Sequence, residues 1–302
     1  MRHTGTLTKL RMRLALRNRA FIFFSLIMPL AFLFLYSSVF GRGEPRLVAY
    51  MLPGVLALTV MGSFWGLSIQ LVMFREQGIL RRFRLTPAGP GAMLASSVVS
   101  NLLLTMPTIV LELLLVKWIY EVESLGNLWG LFLLAALGTM TFASLGLIVA
   151  SVTNTMQETQ VINNAIWFVF LFLSGATIPL PFLPLWLQQV SVFLPPTYLV
   201  TGLQQAVVAG VPVSLILPEI AALGVATVFS FLISLQLFRW EPEQKVTRSA
   251  KAWATAAMIP FLLLGAYELT FGSRLQQAQE LFRNVQRPPM PSQAPSPGEA
   301  PR

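Results

Sequence analysis

The sequence predicts an all-α integral membrane protein of six spans, with a re-entrant helical hairpin before the sixth span and a candidate seventh span after it. Three observations lead there. Hydrophobic residues make up 55% of the 302-residue chain and charged residues only 11%, whereas a soluble domain carries roughly 25% charge to hold its surface in water. The charges are also clustered: residues 159–218 are sixty positions without Asp, Glu, Lys or Arg, and 124–157 are another thirty-four. Third, apolar runs long enough to cross the hydrocarbon core, about 20 residues for a helix, recur along the chain.

Residues 1–19 form a basic segment, with Lys9, Arg11, Arg13, Arg17 and Arg19 leading into the first apolar run at 20–40. That run is too long for a signal peptide, and no small-x-small cleavage site follows it. Further runs cover 49–74, 88–116, 127–150 and 160–178. The stretch 179–212 is uncharged but holds six prolines: Pro179, Pro181, Pro184, Pro195, Pro196 and Pro212. A proline inside a helix costs about 3 kcal/mol, and Pro195-Pro196 fall where the middle of a span would be. The stretch therefore reads as two short half-helices that dip into the membrane and return, with Gln188, Gln189, Gln204 and Gln205 toward protein or water.

The sixth span is 213–238, interrupted only by Glu219. Residues 241–271 read as a linker and the candidate seventh span, 252–271, which Pro260 and Glu268 weaken. The alternative for that stretch is a helix lying in the inner interface. Residues 272–302 make a tail: 272–286 is an amphipathic helix by its pattern. The last fifteen positions, 288–302, hold six prolines and read as disordered.

The formal charge of +9 does not form a basic face for nucleic acid, because Lys and Arg sit in short stretches between apolar runs and set topology instead. With the N-terminus in the cytoplasm, the inner segments hold six basic residues before the first span, four at 75–84, none at 151–158 and four at 239–251. The outer loops hold three: Arg42, Arg46 and Lys117. Making the proline-rich stretch a full span would reduce that bias of fourteen against three to ten against seven. There is no Asp and no Cys, and His3 is the only histidine. Thiol nucleophiles, zinc-thiolate sites and the usual histidine triads are thereby excluded. No phosphate-loop string G-x-x-x-x-G-K-[ST] occurs, so the chain has no cradle for nucleotide phosphates of its own.

The segment between the second and third runs, Arg75-Glu76 through Pro87, carries the most information. A short helix is expected there, with Glu76 at its start and Arg81, Arg82 and Arg84 near its end, as the helix dipole favours. Ile79, Leu80 and Phe83 fall on one face, and Gly78 lies between Glu76 and this ridge. Thr86-Pro87 supply an N-cap and a first-turn proline for the third span. An apolar ridge flanked by guanidinium groups suits docking into a groove on a partner. A basic loop that merely fixes topology would carry the same charges.

These elements together resemble the permease subunits of ABC-2 type exporters, in the branch associated with drug and antibiotic export. The resemblance covers about residues 5–240. It rests on the basic N-terminal segment running into the first span and on Tyr50-Met-Leu-Pro-Gly54 opening the second. It also rests on Glu76, Gly78 and Leu80-Arg-Arg-Phe-Arg-Leu-Thr-Pro87, and on the proline-broken stretch from Ser174-Gly175 through Leu194-Pro-Pro-Thr-Tyr198. The resemblance implies a six-span half-transporter bundle, a homodimer with a second permease copy, and two copies of a separate ABC ATPase subunit. It implies that 75–86 is the coupling helix and that 1–19 is a cytoplasmic amphipathic elbow helix lying in the interface. It also implies that the two half-helices, with Pro195, Pro196 and Tyr198, close the pathway on the outer side. No cofactor is expected on this chain, ATP and Mg being held by the partner, and the chain is expected in the plasma (inner) membrane among lipid. The segment after Arg239 departs from the family pattern.

Charges within spans are costly, about 2.5–3.5 kcal/mol at a helix centre. Glu112 and Lys117 read as a snorkelling pair at the outer interface or as a polar contact at an external gate. Glu219 reads as an interfacial residue. Glu158, after Asn154 and Gln157, either stabilises a helix N-terminus or contacts the ATPase. The aromatic residues Trp167, Phe168, Phe170 and Phe172 face lipid, a second copy or an apolar pathway. Two other classes have weaker support in these residues: a channel or secondary transporter, which needs charge pairs near the midplane, and a lipid-modifying membrane enzyme, which needs clustered His, Asp or Glu. A nearly chargeless pathway favours a hydrophobic or amphipathic cargo such as a drug, a lipid or a lipid-linked molecule.

Overall fold

The computed structural model describes residues 23, 27–39, 45–84, 89–122, 124–240 and 248–286. The elbow segment 1–19, the start of the first span, Thr86 and Pro87, the linker 241–247 and the tail beyond 286 lie outside the described residues; the third long helix opens with Gly89 as its cap and Pro90 in its first turn, not with Thr86-Pro87. The elements, all helical, are α1 (Met28–Val39), α2 (Pro45–Glu76), α3 (Ile79–Arg84), α4 (Pro90–Ile119), α5 (Leu128–Val152) and α6 (Met156–Leu173). They continue with α7 (Leu185–Ser191), α8 (Pro195–Val207), α9 (Leu217–Leu237), α10 (Arg248–Ala256), α11 (Ile259–Phe271) and α12 (Arg274–Gln286). Among the described residues, five stretches are long and apolar enough to cross a membrane: Arg46–Glu76, Pro90–Ile119, Leu128–Val152, Val213–Leu237 and Ala252–Phe271.

The helix expected over 160–178 is α6, and it starts and ends earlier. Thr155 caps its first turn, the Glu158 amide donating to Thr155 Oγ1 at 3.1 Å while the Asn154 amide donates to Glu158 Oε2 at 2.7 Å. This reciprocal pair resembles a capping box and gives Glu158 its place at a helix N-terminus. Gly175, at φ 84°, turns the chain away just past Leu173. The polar side chains Gln157, Gln160, Asn163 and Asn164 of its first half keep α6 out of the five stretches apolar enough to cross a membrane. The prolines of 179–212 separate rather than interrupt helices. Pro184 precedes α7, and Pro195-Pro196 occupy the first two positions of α8, where their missing N–H groups cost nothing.

α2 and α5 form the centre of the bundle and are the most extensively buried long helices. Their backbones touch at Gly146, where a Cβ would collide with the carbonyl oxygen of Phe64. Close approach at small residues is how helices gain contact area in lipid, which offers no hydrophobic drive between them. Gly146→Val is expected to destabilise the bundle by about 1–3 kcal/mol through overpacking. The check is the unfolding midpoint of the detergent-purified chain, and an unchanged midpoint would remove this contact from the core. Outside, Leu114, Val228, Leu232 and Leu263 are exposed on α4, α9 and α11, and Trp118 and Trp129 stand exposed at one end, as side chains facing lipid and its interface do.

The helices alternate in direction, which sorts the connections to two ends. Arg75, Thr153 and Arg239 meet at one end. The other end joins Asn127 to Ala206 and Val211, with amide-to-carbonyl distances of 2.7 Å and 2.9 Å. Three segments that positive-inside counting assigns to the cytoplasm, 75–84, 151–158 and the start of 239–251, thus share the first end.

Candidate functional site

At the first end the chain builds a short element on a braced platform. α2 runs through Glu76, so Glu76 closes that helix instead of opening the short one. The break is made two residues later by Gly78, whose φ of 67° is a left-handed conformation that other residues adopt only with strain. Glu76 Oε1 accepts the Met156 amide at 2.8 Å, tying the end of α2 to the start of α6. α3 then lies across the bundle end. Leu80 is wholly buried among Leu71, Val72, Met93, Leu94, Leu147 and Ala150, with Phe83 packed half-buried beside it. The apolar ridge expected to face a partner therefore anchors α3 to its own bundle. Ile79 is half-buried, Arg81 and Arg82 point outward, and Arg84 closes the helix.

Arg75 is 1% exposed. It donates through Nη1 to Ala150 O at 2.9 Å and through Nη2 to Thr153 O at 2.5 Å. Those carbonyls belong to the C-terminus of α5, where backbone acceptors have no partner within the helix. Arg239 arrives from the end of α9 and donates to the same Thr153 O at 2.6 Å and to Asn154 Oδ1 at 3.2 Å. Burial lowers the Arg239 guanidinium from its ordinary value, and Glu158 acts in the opposite direction. Two guanidinium groups from two helices thus cap a third helix that has no basic residue in its own last turn, a favourable match to the negative end of its dipole. Nothing in a linear reading joined Arg75 or Arg239 to Thr153. The visible signal was an α5 end without basic residues, while Arg75 stands in the last turn of α2 and Arg239 just past the end of α9.

The second end holds the remaining charged positions. Glu112 and Lys117 make no ion pair. Five residues along a helix turn by about 140° from one face, so Lys117 is exposed while Glu112 is buried and accepts a hydrogen bond from Thr59 Oγ1 on α2 at 2.6 Å. Pro195 and Pro196 start α8 and are buried. Tyr198 is buried too and donates to Val192 O at 2.8 Å, and Thr197 Oγ1 donates to Ser191 O at 2.6 Å, so the two short helices are stitched together at the tandem prolines. Phe170 is in the core against Phe64 and Phe142, with Trp167 partly buried beside it, while Phe168 and Phe172 stack on the outer surface.

Residues 2–208 match the ABC-2 type transporter family. The chain belongs to that family. The chain is 26% identical over 211 residues to a Bacillus subtilis protein named as a transport permease, YvfS, a match covering 67% of this chain and 84% of that one. It is 26% identical over 196 residues to an Escherichia coli K12 protein named as a multidrug ABC transporter permease, YbhS, covering 63% of this chain but 51% of the relative. A Dictyostelium discoideum protein named as ABC transporter G family member 20 is 22% identical over 209 residues, and the match spans 29% of its length. This chain is accordingly a multi-pass, ABC-2 type membrane protein. The family match takes in α1 through α8, with both the braced α3 and the stitched α7–α8 pair. α9 through α12 follow the matched residues.

Proposed function

We propose that this chain is the permease subunit of an ATP-binding cassette exporter, moving a hydrophobic or amphipathic molecule across the plasma membrane on ATP hydrolysed by a separate subunit. The observation that carries this reading is α3. It is a short helix pinned by the buried Leu80 and the Gly78 turn, and it presents Arg81 and Arg82 at the end where α2, α5 and α9 are clamped together by Arg75 and Arg239. Force on the outward face of α3 is transmitted to three helices at once. Contact with the ATPase is made by guanidinium groups, which form charge-assisted bonds to carboxylates, rather than by the apolar ridge. Two ATPase copies and a second permease complete the exporter, and ATP and Mg bind in the partner. The N-terminus is cytoplasmic, the charge bias being fourteen against three. The name of one relative, the multidrug ABC transporter permease YbhS, supports export of drug-like compounds.

A mild-detergent pull-down of the tagged chain from its host tests this. A phosphate-loop ATPase should be recovered in near-equal amount, and vesicles holding both proteins should accumulate a lipophilic cationic dye only when ATP is supplied. Absence of any ATPase across several detergents, with no ATP-dependent dye movement, sinks the proposal.

A further inference from the structure

The segment beyond the family match has its own architecture. Arg239, at the end of α9, lies against Thr153, whereas Arg274, at the start of α12, meets Glu219 in the first turn of α9. Between them the chain returns along the length of α9 through Ala252–Phe271, which is long and apolar enough to span. Its side chains Leu262, Leu263, Tyr267 and Phe271 are exposed, while Phe261 packs against the Tyr198 ring at 6.0 Å.

α12 then lies over the proline-broken stretch. Its apolar side meets Leu180, Leu183 and Leu187, and Phe282 sits between Tyr50 and Phe182 with ring centroids 5.4 Å and 5.0 Å away. Arg274 fastens it. Its Nη1 donates to Glu219 Oε1 at 2.5 Å and to Thr201 Oγ1 at 3.0 Å, and its guanidinium rests 4.6 Å above the Tyr198 ring. Glu268 Oε1 accepts the Arg274 amide at 2.8 Å, capping the start of α12. The Arg274 and Glu219 side chains are 6% and 4% exposed. Such a pair barely balances its desolvation when closed, and in external water both charges would be solvated. Lifting α12 would exchange this buried pair for two solvated charges. Beneath α12 is a cleft of about 310 Å³ between it and α8, lined by Gln204, Gln205 and Gln277 with Val211 and Leu215.

We propose that 252–271 is a seventh span and that α12 is an external lid, latched by Arg274, which closes over the outer end of the α7–α8 pair and lifts to release cargo. The topology and latch stand on contacts alone; the release step rests on the exporter reading. The chain contains no cysteine, so single thiols report cleanly.

In intact cells, Asn284→Cys should react with a membrane-impermeant maleimide, and reaction only after permeabilisation overturns the seventh span. Gln204→Cys, under the lid, should be labelled about tenfold faster when Arg274→Ala is added, because labelling follows the open population. Equal rates overturn the latch. Gln205 and Gln277 are hydrogen-bonded at 3.2 Å through their side-chain ends, so Gln205→Cys with Gln277→Cys should be bridged by a reducible bis-methanethiosulfonate linker spanning the length the two glutamines filled, which stops dye export until reductant restores it. Undiminished export with complete cross-linking overturns the lid. Absence of export from the reduced pair counts against the exporter reading and leaves the two labelling outcomes to decide the topology and the latch.

Discussion

Arg81→Glu with Arg82→Glu is expected to abolish recovery of the ATPase in the pull-down and to reduce ATP-driven export by about tenfold or more. Both side chains are exposed on α3, so reversing them changes the sign of the docking face without disturbing the bundle. Like-charge juxtaposition at an interface repels a partner more strongly than loss of a contact weakens it. The unfolding midpoint of the double variant should match the parent, which separates docking from folding. Full ATPase recovery with the reversed charges would show that the partner is engaged elsewhere, and α3 would then be a structural crosspiece.

Arg75→Ala is expected to have the largest effect on the fold. It removes a buried guanidinium and leaves Ala150 O with only a long, 3.5 Å contact from Thr153 Oγ1, while Thr153 O keeps Arg239. A weakly satisfied buried carbonyl and a cavity the size of an arginine side chain together cost about 2–5 kcal/mol. The variant should show a lower unfolding midpoint and poor yield as a monodisperse peak in detergent. Arg75→Lys, which can serve one carbonyl but not two, should fall between the variant and the parent. An Arg75→Ala chain as stable as the parent would mean that Arg239 alone suffices to cap α5.

Much of the fold was legible in the residues. Apolar runs placed α2, α4, α5 and α9 because a helix in lipid must satisfy its backbone within itself, and its length is fixed by hydrocarbon thickness. Prolines at 184, 195 and 196 marked the breaks, and the turn at Gly78 fell inside the segment singled out for coupling. The sequence reading erred where a side chain's partner lay on another helix. It put Leu80 on a partner-facing ridge, whereas the packing of α3 against α4 and α5 turns it inward. It paired Glu112 with Lys117 as neighbours, whereas Glu112 accepts a hydrogen bond from Thr59 on α2. It left Glu219 at the interface and had no reason to join it to Arg274.

What the sequence by itself determined is therefore the membrane class, the long helices, their breaks and the side of the bundle that collects positive charge. Each of these depends on about one helix length of chain. What only the tertiary structure decided is which polar group answers which: Arg75 and Arg239 at the end of α5, Thr59 at Glu112, Arg274 at Glu219. In an apolar surround every such group needs a partner, but composition states the need without naming the neighbour. The neighbour follows from which helices pack side by side, and that is set by shape, as at Gly146 against Phe64, rather than by any property a single segment carries.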